Sequence, residues 1–540
     1  MLENPPNAVD AERETAGMPY GSQGPAMRRT LPSGRSGQRR RFFGYTKGKG
    51  KDMQYQSTRD RNTVVSSSEA IVRGLAPDGG LFVPQAFPAA KLDAWRHLSY
   101  PQLAAAVLGS FLTEYDPAFL EQAAKETYGA AFSGKAGQVE PVADGLFALE
   151  LWHGPTCAFK DYALQIMPKL LVQAKKNLGR TERTRILVAT SGDTGKAALA
   201  GYAGLDGVEI EVFYPNDGTS EIQRLQMVTQ TGDNVAVYAV NGNFDDAQSG
   251  VKRVFGDETV ARELAGRGIR LSSANSINWG RLAPQIVYYF YAYFRLAETD
   301  GVAWGDPVDF CVPTGNFGDI LAGYYAKRMG LPVGRLVCAS NKNNVLSDFI
   351  RTGTYDKRRT FYKTTSPSMD ILISSNLERL LYHLTEDEAK VAGWMAQLAE
   401  TGCYTVDAQT LARLQETFRC GWADDAAAAR TLHDLWAQDR YLCDPHTAVA
   451  FHAAARQRTA APMVVLSTAS PFKFPRDVLA ALGLEVPASD FDAMDALTRA
   501  TGSPAPAQLS GLKALPVRFD RTLDPAQIRT AALAARVSEG

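Results

Sequence analysis

One lysine, Lys160, lies in an unusual setting within the stretch HGPTCAFKDY, residues 153–162. A turn-forming His-Gly-Pro triplet precedes it, Phe159 lies beside it, and a helix-like run, ALQIMPKLLVQAKKNLG, follows. A lysine that acts as a covalent nucleophile needs partial removal from water and a lowered pKa. Because Cys157 and Phe159 could supply an apolar wall, we interpret Lys160 as a candidate nucleophile.

Two glycine-rich loops have the composition of anion-binding sites. They are TSGDTGKA (190–197) and PTGNFGDI (313–320), and each follows a β-rich run and opens a predicted helix. Small residues let the backbone approach a ligand, and the free N–H groups at a helix start favour an anion. The alternative for each loop is an ordinary capped helix start. The first loop lacks the GxxxxGK[ST] spacing of a nucleotide-binding P-loop.

Three further polar stretches are candidates for ligand contacts. NSINWGR (275–281) offers amide, hydroxyl and guanidinium groups that suit a carboxylate or phosphate, although it could also be a capped helix start. SPSMDILISSNLERLL (366–381) is polar where a core helix should be apolar, and the alternative is a loop held by side-chain bonds to its backbone. DPHTAVA (444–450) contains His446, for which a structural role is the favoured interpretation.

These elements together suggest a cofactor. No metal-ligand spacing and no nucleophilic serine or cysteine elbow competes with Lys160. A phosphate-binding loop combined with a shielded lysine is typical of pyridoxal phosphate (PLP) held as a Schiff base.

The elements that must position these loops alternate between strand and helix from about residue 145 onward. Short β-rich runs such as RILVAT and VEIEVFYP are each followed by an amphipathic helix. This alternation predicts parallel sheets covered by helices on both faces. Ligands bind such sheets at the carboxyl ends of the strands, where both glycine-rich loops fall.

Composition excludes several classes of protein. The 540 residues are 45% hydrophobic, and Lys+Arg and Asp+Glu both number 58, so no net charge indicates nucleic acid or a membrane surface as a partner. The six cysteines form no CxxC pair, which favours a reducing cytoplasm. The apolar run APQIVYYFYAYF (283–294) is short and ends at Arg295, so we interpret it as a buried helix.

The first 52 residues differ from the rest. They are rich in Pro, Gly, Ser and Arg, and they lack the apolar core of a secretory signal. We predict a disordered basic extension at 1–52, with polyanion binding by its arginines as the alternative. Translation from Met53 is a further hypothesis.

The motifs in their order resemble threonine synthase, a PLP enzyme of fold type II. They are HGPTCAFKD, TSGDTG, NSINWGR, PTGNFGDILAGYYAKRMGLP, SPSMDILISSN followed by ER, and DPHTAVA; YQSTR and APDGGLFVP also look like the N-terminal region of that family. The resemblance covers about residues 53–500 and is closest to the longer branch of the family.

The resemblance implies an α/β fold with two parallel-type subdomains, an N-terminal cap domain and the disordered extension. The expected boundaries are 53–145 for the N-terminal domain, 146–500 for the PLP-binding region and 501–540 for a C-terminal segment. Within the PLP-binding region, the smaller subdomain would span about 190–300, and the larger one about 146–189 and 301–500.

The resemblance also implies the roles of individual residues in the cofactor site. Lys160 would bind PLP covalently and shuttle protons, Asp193 would lie near the ring hydroxyl, and Thr468 would face the pyridine nitrogen. The cofactor phosphate would be held by Gly315, Asn316, Phe317, Gly318 and Asp319.

The implied substrate is O-phospho-L-homoserine, which would react with water by γ-elimination and β-hydration to give L-threonine and phosphate, the last step of threonine biosynthesis. Its carboxylate would be bound by Thr190, Ser191 and Thr194, and its phosphate by Asn275, Ser276 and Arg281, with Lys473 adding positive charge. Ser470 departs from the family, in which many members carry histidine there. The alternatives are a threonine-synthase-like phospho-lyase, another fold type II lyase such as a threonine dehydratase, and a non-catalytic binding protein on the same fold.

Overall fold

The computed structural model describes residues 52–190, 192–216 and 219–534. The predicted disordered extension, apart from Asp52, therefore lies outside the described residues, as does Ser191. None of the helices in these ranges combines the length and the apolar character needed to cross a bilayer.

The strands of the described ranges alternate with helices along most of the chain. The strands are β1 (Gln54–Ser57), β2 (Val64–Ser66), β3 (Phe82–Pro84), β4 (Gln138–Ala143), β5 (Leu146–Glu150), β6 (Arg183–Ala189), β7 (Val208–Pro215), β8 (Val235–Val240), β9 (Ile269–Ser272), β10 (Val308–Pro313), β11 (Val333–Ser340), β12 (Thr354–Asp356), β13 (Cys403–Thr405), β14 (Phe418–Trp422), β15 (Met463–Ser467) and β16 (Thr522–Leu523).

The α-helices of the same ranges vary from single turns to one helix of 20 residues. They are α1 (Ser67–Arg73), α2 (Leu92–Trp95), α3 (Tyr100–Phe111), α4 (Pro117–Tyr128), α5 (Asp161–Leu164), α6 (Met167–Asn177), α7 (Asp193–Tyr202), α8 (Glu221–Val228), α9 (Phe244–Gly256), α10 (Glu258–Gly266), α11 (Trp279–Glu298), α12 (Gly318–Arg328), α13 (Val345–Thr352), α14 (Leu377–Thr385), α15 (Glu388–Thr401), α16 (Ala408–Thr417), α17 (Asp425–Asp434), α18 (Pro445–Ala455), α19 (Pro475–Ala481), α20 (Asp490–Thr501), α21 (Ala507–Ser510) and α22 (Ile528–Leu533).

Two largely parallel sheets form the framework, as the strand–helix alternation predicts. The larger sheet has the order β14-β11-β10-β15-β5-β4 and is parallel except for the edge strand β4. The smaller sheet has the order β16-β8-β7-β6-β9 and is parallel throughout. Every residue of β7 and of β10 is buried, as expected for strands with helices on both faces.

The N-terminal part adds a small antiparallel sheet, β2-β1-β3, and the helices α1–α4. Its helices α1 and α3 pack against α11, the apolar helix that the sequence predicts to be buried. Most residues of α11 are indeed buried, which confirms that interpretation.

The boundary of the smaller sheet differs from the predicted subdomain boundary at residue 190. Strand β6 precedes that boundary and lies in the smaller sheet between β7 and β9. The difference arises because a βα unit begins with its strand, whereas the sequence draws attention to the loop after the strand. Helix α11, placed by sequence in the smaller subdomain, packs against α12 and α3.

The C-terminal segment completes the smaller sheet. Strand β16 pairs in parallel with β8, and α22 packs on α9 to form a second apolar cluster that includes Leu523 and Ile528. Buried Arg185 donates to Glu209 at 2.7 Å and to the carbonyl oxygen of Ala532 at 2.6 Å. The last described residues therefore supply both an edge strand and acceptors for a buried guanidinium group.

We predict that Ile528→Ala destabilises the smaller sheet, because Ile528 is fully buried and its Cδ1 occupies the space where Gly250 lacks a side chain. The free energy of unfolding should fall by about 2–5 kcal/mol, measured by urea denaturation. Thr530→Ala, an exposed change on the same helix, is the control and should stay within about 0.5 kcal/mol. Equal values for the two variants would contradict the structural role of the C-terminal segment.

Candidate active site

Lys160 lies directly before α5, at the end of a tightly bonded turn. The Asp161 carboxylate folds back onto this turn and accepts from the Thr156 N–H and from the Thr156 hydroxyl, both at 2.8 Å. A Cβ at Gly154 would lie 2.5 Å from Asp161 Oδ2, so the turn requires glycine there. Cys157 takes a left-handed backbone conformation, with φ of 58°. Asp161 thus fixes the shape of the loop that presents Lys160.

The Lys160 loop is hydrogen-bonded to the segment that follows β15. Phe159 N–H donates to the Thr468 carbonyl at 2.8 Å, and Ser470 N–H donates to the Cys157 carbonyl at 3.1 Å. The structure therefore brings Thr468, one of the predicted cofactor contacts, next to the lysine loop.

Lys160 Nζ is surrounded by one hydroxyl, one carboxylate and one ring. It donates to Ser368 Oγ at 3.2 Å, lies 3.6 Å from Asp193 Oδ2, and sits 4.7 Å from the centre of the Phe159 ring. Only 9% of the residue is exposed. Burial lowers the pKa of Lys160, Asp193 opposes that change, and the cations Lys473 and Arg281 add to it.

Asp193, at the start of α7, is the carboxylate that compensates this cationic cluster. Its Oδ1 accepts from Lys473 Nζ at 2.7 Å and from Gln223 Nε2 at 3.0 Å. Burial raises the pKa of Asp193, but Lys473 and Lys160 more than offset burial and hold it below its ordinary range. Asp193 is therefore ionised in the folded protein.

The resemblance implies that Lys473 adds positive charge to the substrate phosphate. In the structure its Nζ lies between Asp193 Oδ1, at 2.7 Å, and the Thr156 carbonyl oxygen, which accepts at 3.0 Å. Lys473 is almost fully buried. The physical reason is that Asp193 needs a cation close by once both groups leave water.

The second glycine-rich loop forms a cup at the start of α12. A Cβ at Gly315 would lie 2.6 Å from the Ser368 carbonyl oxygen, and Phe317 has a positive φ of 62°. No side chain of the described residues caps α12. The first N–H groups of α12, beginning at Gly318, have no acceptor within the helix and are free for an anion. Asn316 contributes to the cup through its carbonyl, which accepts from Asn376 Nδ2 at 2.9 Å.

The Asp319 side chain links this cup to the tyrosines of α11. Its Oδ1 accepts from the hydroxyls of Tyr288 at 2.6 Å and Tyr289 at 3.0 Å. Its Oδ2 is buried and has no hydrogen-bond partner among the described residues. Burial raises the pKa of Asp319 to about 6, which the two tyrosine hydroxyls partly oppose. The carboxyl group therefore supports the cup, while the backbone N–H of the same residue belongs to the helix start.

The first glycine-rich loop is held by Thr190. Its hydroxyl oxygen accepts from the N–H groups of Gly192 and Gly195, each at 3.0 Å. Gly192 has φ of 155°, and a Cβ there would lie 2.5 Å from the Gln223 side chain. Thr194 is half-buried in the first turn of α7.

Of the predicted substrate-phosphate residues, Arg281 is the most buried. Its Nη1 donates to the Ala274 carbonyl at 2.7 Å, and its Nε finds no hydrogen-bond partner among the described residues. Burial lowers the pKa of Arg281 to about 10. Asn275 Oδ1 accepts from the Ile277 N–H at 3.2 Å and from the Ser276 hydroxyl at 3.3 Å, so these two residues shape the turn before α11.

Sequence reasoning missed two contacts in this region. Ser368 lies in the polar run after residue 365, whose composition was a signal, but nothing in that run marks Ser368 itself. Gln223 lies within α8 and has no local sequence signal at all. His446, for which a structural role was favoured, accepts from the Ser368 N–H at 3.1 Å.

Three regions of the chain match families of known proteins. Residues 54–128 match the threonine synthase N terminus, residues 137–419 match the pyridoxal-phosphate dependent enzyme family, and residues 447–531 match the threonine synthase C-terminal family.

Individual relatives agree with these matches. The chain is 40% identical to the threonine synthase of Pseudomonas aeruginosa over 435 residues, which covers 79% of this chain and 90% of the relative. It is 39% identical to threonine synthase-like 1 of Macaca fascicularis, covering 77% of this chain but 58% of that longer protein. The crystal structure of PLP-bound threonine synthase from Brucella melitensis superposes with a TM-score of 0.81 at 38% identity, covering 89% of this chain and 99% of that one.

We predict that the raised pKa of Asp319 makes stability fall with rising pH. The folded carboxyl, with a pKa of about 6, binds its proton more tightly than an unfolded carboxyl with the ordinary value of 3.8. Its stabilising contribution is therefore complete below about pH 4 and is lost as the pH rises through 6. The free energy of unfolding of Asp319→Asn, minus that of the wild type, should therefore rise by about 2 kcal/mol from pH 4.5 to pH 7.

The measurement is urea denaturation of cofactor-depleted full-length protein at the two pH values. Asp495→Asn, an exposed change on α20, serves as the control. A stability difference between Asp319→Asn and wild type that does not change with pH would contradict the prediction.

Proposed function

Because the chain belongs to the threonine synthase family, we propose that it converts O-phospho-L-homoserine and water to L-threonine and phosphate. One observation carries the choice of substrate: a buried lysine lies close to two separate places for an anion. One place is the start of α12, which no described side chain caps, and the other is Nε of buried Arg281, which has no hydrogen-bond partner among the described residues. A substrate with its own phosphate needs the second place in addition to the one that the cofactor phosphate takes.

The residues of the site fit PLP, the cofactor of the family. Lys160 would attach it, the backbone of residues 315–319 would hold its phosphate, and Thr468 would face the pyridine nitrogen. Asp193, held by Lys473 and Gln223, would lie near the ring hydroxyl. Bound PLP stabilises negative charge that develops at the substrate carbons during elimination.

Lys160 is the proton-transfer group of this proposal. Its lowered pKa increases the fraction of neutral amine near neutral pH, which can take a proton from a substrate carbon and return it. Phe159 covers one side of Nζ and keeps water from it. Asp161 stays outside the chemistry, because its carboxylate is engaged by Thr156 and Gln165.

The first glycine-rich loop and the start of α11 would each bind one anionic group of the substrate. We place the substrate carboxylate on Thr190 and Thr194, with Ser191 of the same loop outside the described residues, and the substrate phosphate on Arg281 with Asn275 and Ser276. Lys473 would act on the substrate through Asp193 rather than by direct contact. In the proposed domain arrangement, the smaller sheet carries the carboxylate loop and the larger sheet carries the PLP cup.

A cytoplasmic location belongs to the same proposal. All six cysteines are free thiols, which suits a reducing compartment.

A phospho-lyase acting on a related substrate is the second candidate. Threonine synthase-like 1, whose name states no reaction, is 39% identical to this chain, against 40% for the bacterial threonine synthase. The products distinguish the two candidates, since a lyase releases phosphate together with a keto acid.

We predict that the purified holoenzyme releases phosphate from O-phospho-L-homoserine and forms L-threonine in equal amounts. Lys160→Ala should abolish both products, a fall of at least about 1,000-fold in kcat, because no other group in the site can replace the amine. Lys169→Ala is the matched control, because Lys169 lies on α6 and forms a partly exposed ion pair with Glu126 of α4. Phosphate release with a keto acid would support the lyase, and turnover by Lys160→Ala would refute the assignment of Lys160.

We predict that Arg281→Met weakens substrate binding far more than PLP binding. The substitution keeps much of the side-chain volume but removes the charge that would grip the substrate phosphate, so KM should rise about 10- to 100-fold. Arg295→Met, toward the other end of the same helix, serves as the control. If the affinity for PLP falls by the same factor as KM rises, Arg281 lies outside the substrate site.

A further inference from the structure

Ser368 lies where three parts of the candidate active site meet. It is the middle residue of a short 3-10 turn, Pro367–Met369. Its hydroxyl accepts from Lys160 Nζ at 3.2 Å, and its N–H donates to His446 Nε2 at 3.1 Å. Its carbonyl oxygen lies against Gly315, where a Cβ would be only 2.6 Å away. One residue therefore contacts the reactive lysine, a buried histidine and the phosphate cup.

The hydrogen-bonded state of His446 follows from its partners. A backbone N–H can only donate, so Nε2 of His446 accepts from Ser368. The ring proton of the neutral imidazole then lies on Nδ1 and is donated to Asp444 Oδ2 at 2.6 Å. Asp444 and His446 are both buried, and Asp444 also caps α18 by accepting from Thr447 N–H at 3.1 Å. The imidazole is thus fixed in one tautomer and one orientation.

The loop that contains Ser368, residues 364–370, is also held by hydrogen bonds that do not involve His446. Asp370 accepts from Asn341 Nδ2 at 2.8 Å and from the Thr364 hydroxyl at 2.7 Å, and Ser366 Oγ accepts from the same Asn341 at 3.0 Å. These bonds hold residues 364–370 as a loop, whereas the His446 bond is made to Ser368 itself. The histidine therefore holds the backbone from which the Ser368 hydroxyl extends toward Lys160.

We propose that Ser368 is a further catalytic residue, whose hydroxyl orients the Lys160 amine, and that the Asp444–His446 pair is the positioning device for Ser368. This inference rests on the proposed function of Lys160. In a site almost closed to water, the amine needs protein acceptors for its N–H groups, and Ser368 Oγ and Asp193 are the nearest described ones. With its N–H bonds held in these directions, the nitrogen keeps a fixed direction for its lone pair and reaches the cofactor carbonyl in one geometry.

The test measures how fast cofactor-depleted, full-length protein captures PLP. The rate is monitored by the absorbance of the lysine-bound cofactor. Ser368→Ala should slow capture about tenfold, because one hydrogen bond that orients the amine is lost. His446→Leu should slow it to a similar extent. His446→Gln should restore the rate to within about threefold of wild type, because its side-chain oxygen can accept the Ser368 N–H.

His452→Leu is the matched control, since His452 lies on the same helix and contacts Thr431 and Arg456 instead. Its capture rate should equal that of the wild type, and thermal midpoints measured on all variants identify any that fail to fold. The double variant Ser368→Ala/His446→Leu should be no slower than Ser368→Ala alone, because His446 acts through Ser368.

Three results would overturn the inference: wild-type capture by folded Ser368→Ala, additive losses in the double variant, or no rescue by folded His446→Gln. The proposed function fails in a different way, because it is tested by the products of O-phospho-L-homoserine and not by the rate of PLP capture. A keto acid product with slow capture by Ser368→Ala would reject the synthase reaction while keeping the role of Ser368.

Discussion

The ion pair between Asp193 and Lys473 is the interaction on which the site depends. Three basic side chains, those of Lys160, Lys473 and Arg281, are gathered in a region from which water is nearly excluded. Such a cluster is unfavourable without a compensating anion, and Asp193 supplies it at 2.7 Å from Lys473 and 3.6 Å from Lys160. The unequal distances matter, because Asp193 lies farther from Lys160 and only partly opposes the lowering of its pKa by burial. Asp193 thus pairs closely with Lys473, which has a structural role, and more distantly with Lys160, the candidate reactive lysine.

The fold makes this arrangement possible by bringing together the carboxyl ends of strands from two sheets. Asp193 follows β6 of the smaller sheet, whereas Lys473 follows β15 and Lys160 follows β5, which are neighbours in the larger sheet. Backbone bonds between the segments after β5 and β15 fix the two lysines relative to each other, and the Thr156 carbonyl completes the Lys473 site. The Asp193–Lys473 ion pair therefore also links a segment after the smaller sheet's β6 to a segment after the larger sheet's β15.

The sequence predicts the parts of the site that are encoded locally. Glycine spacing, a strand before it and a helix after it identify the loops at 190 and 315, and the same alternation predicts parallel sheets. The partners that come from distant parts of the chain leave no such mark. Lys473 contacts Asp193 across 280 residues of sequence, and Ser368 contacts Lys160 across 208 residues. The same limit applies to β16, whose two residues are too few for a pattern and pair with β8 only in the folded chain.

Ser470 shows how a departure from the family can be accommodated without a new acid or base. Its hydroxyl accepts from the Phe472 N–H at 3.3 Å and caps the turn that carries Lys473, while its own N–H bonds to the Cys157 carbonyl at 3.1 Å. The serine therefore stabilises the backbone turn from which the Lys473 side chain reaches Asp193. The hydroxyl of Ser470 thus stabilises this turn, while Nε2 of His446 accepts from the Ser368 N–H. In the proposed function, proton transfer at the substrate carbons belongs to Lys160, whose pKa is lowered by burial, with Lys473 and Arg281 adding to that effect.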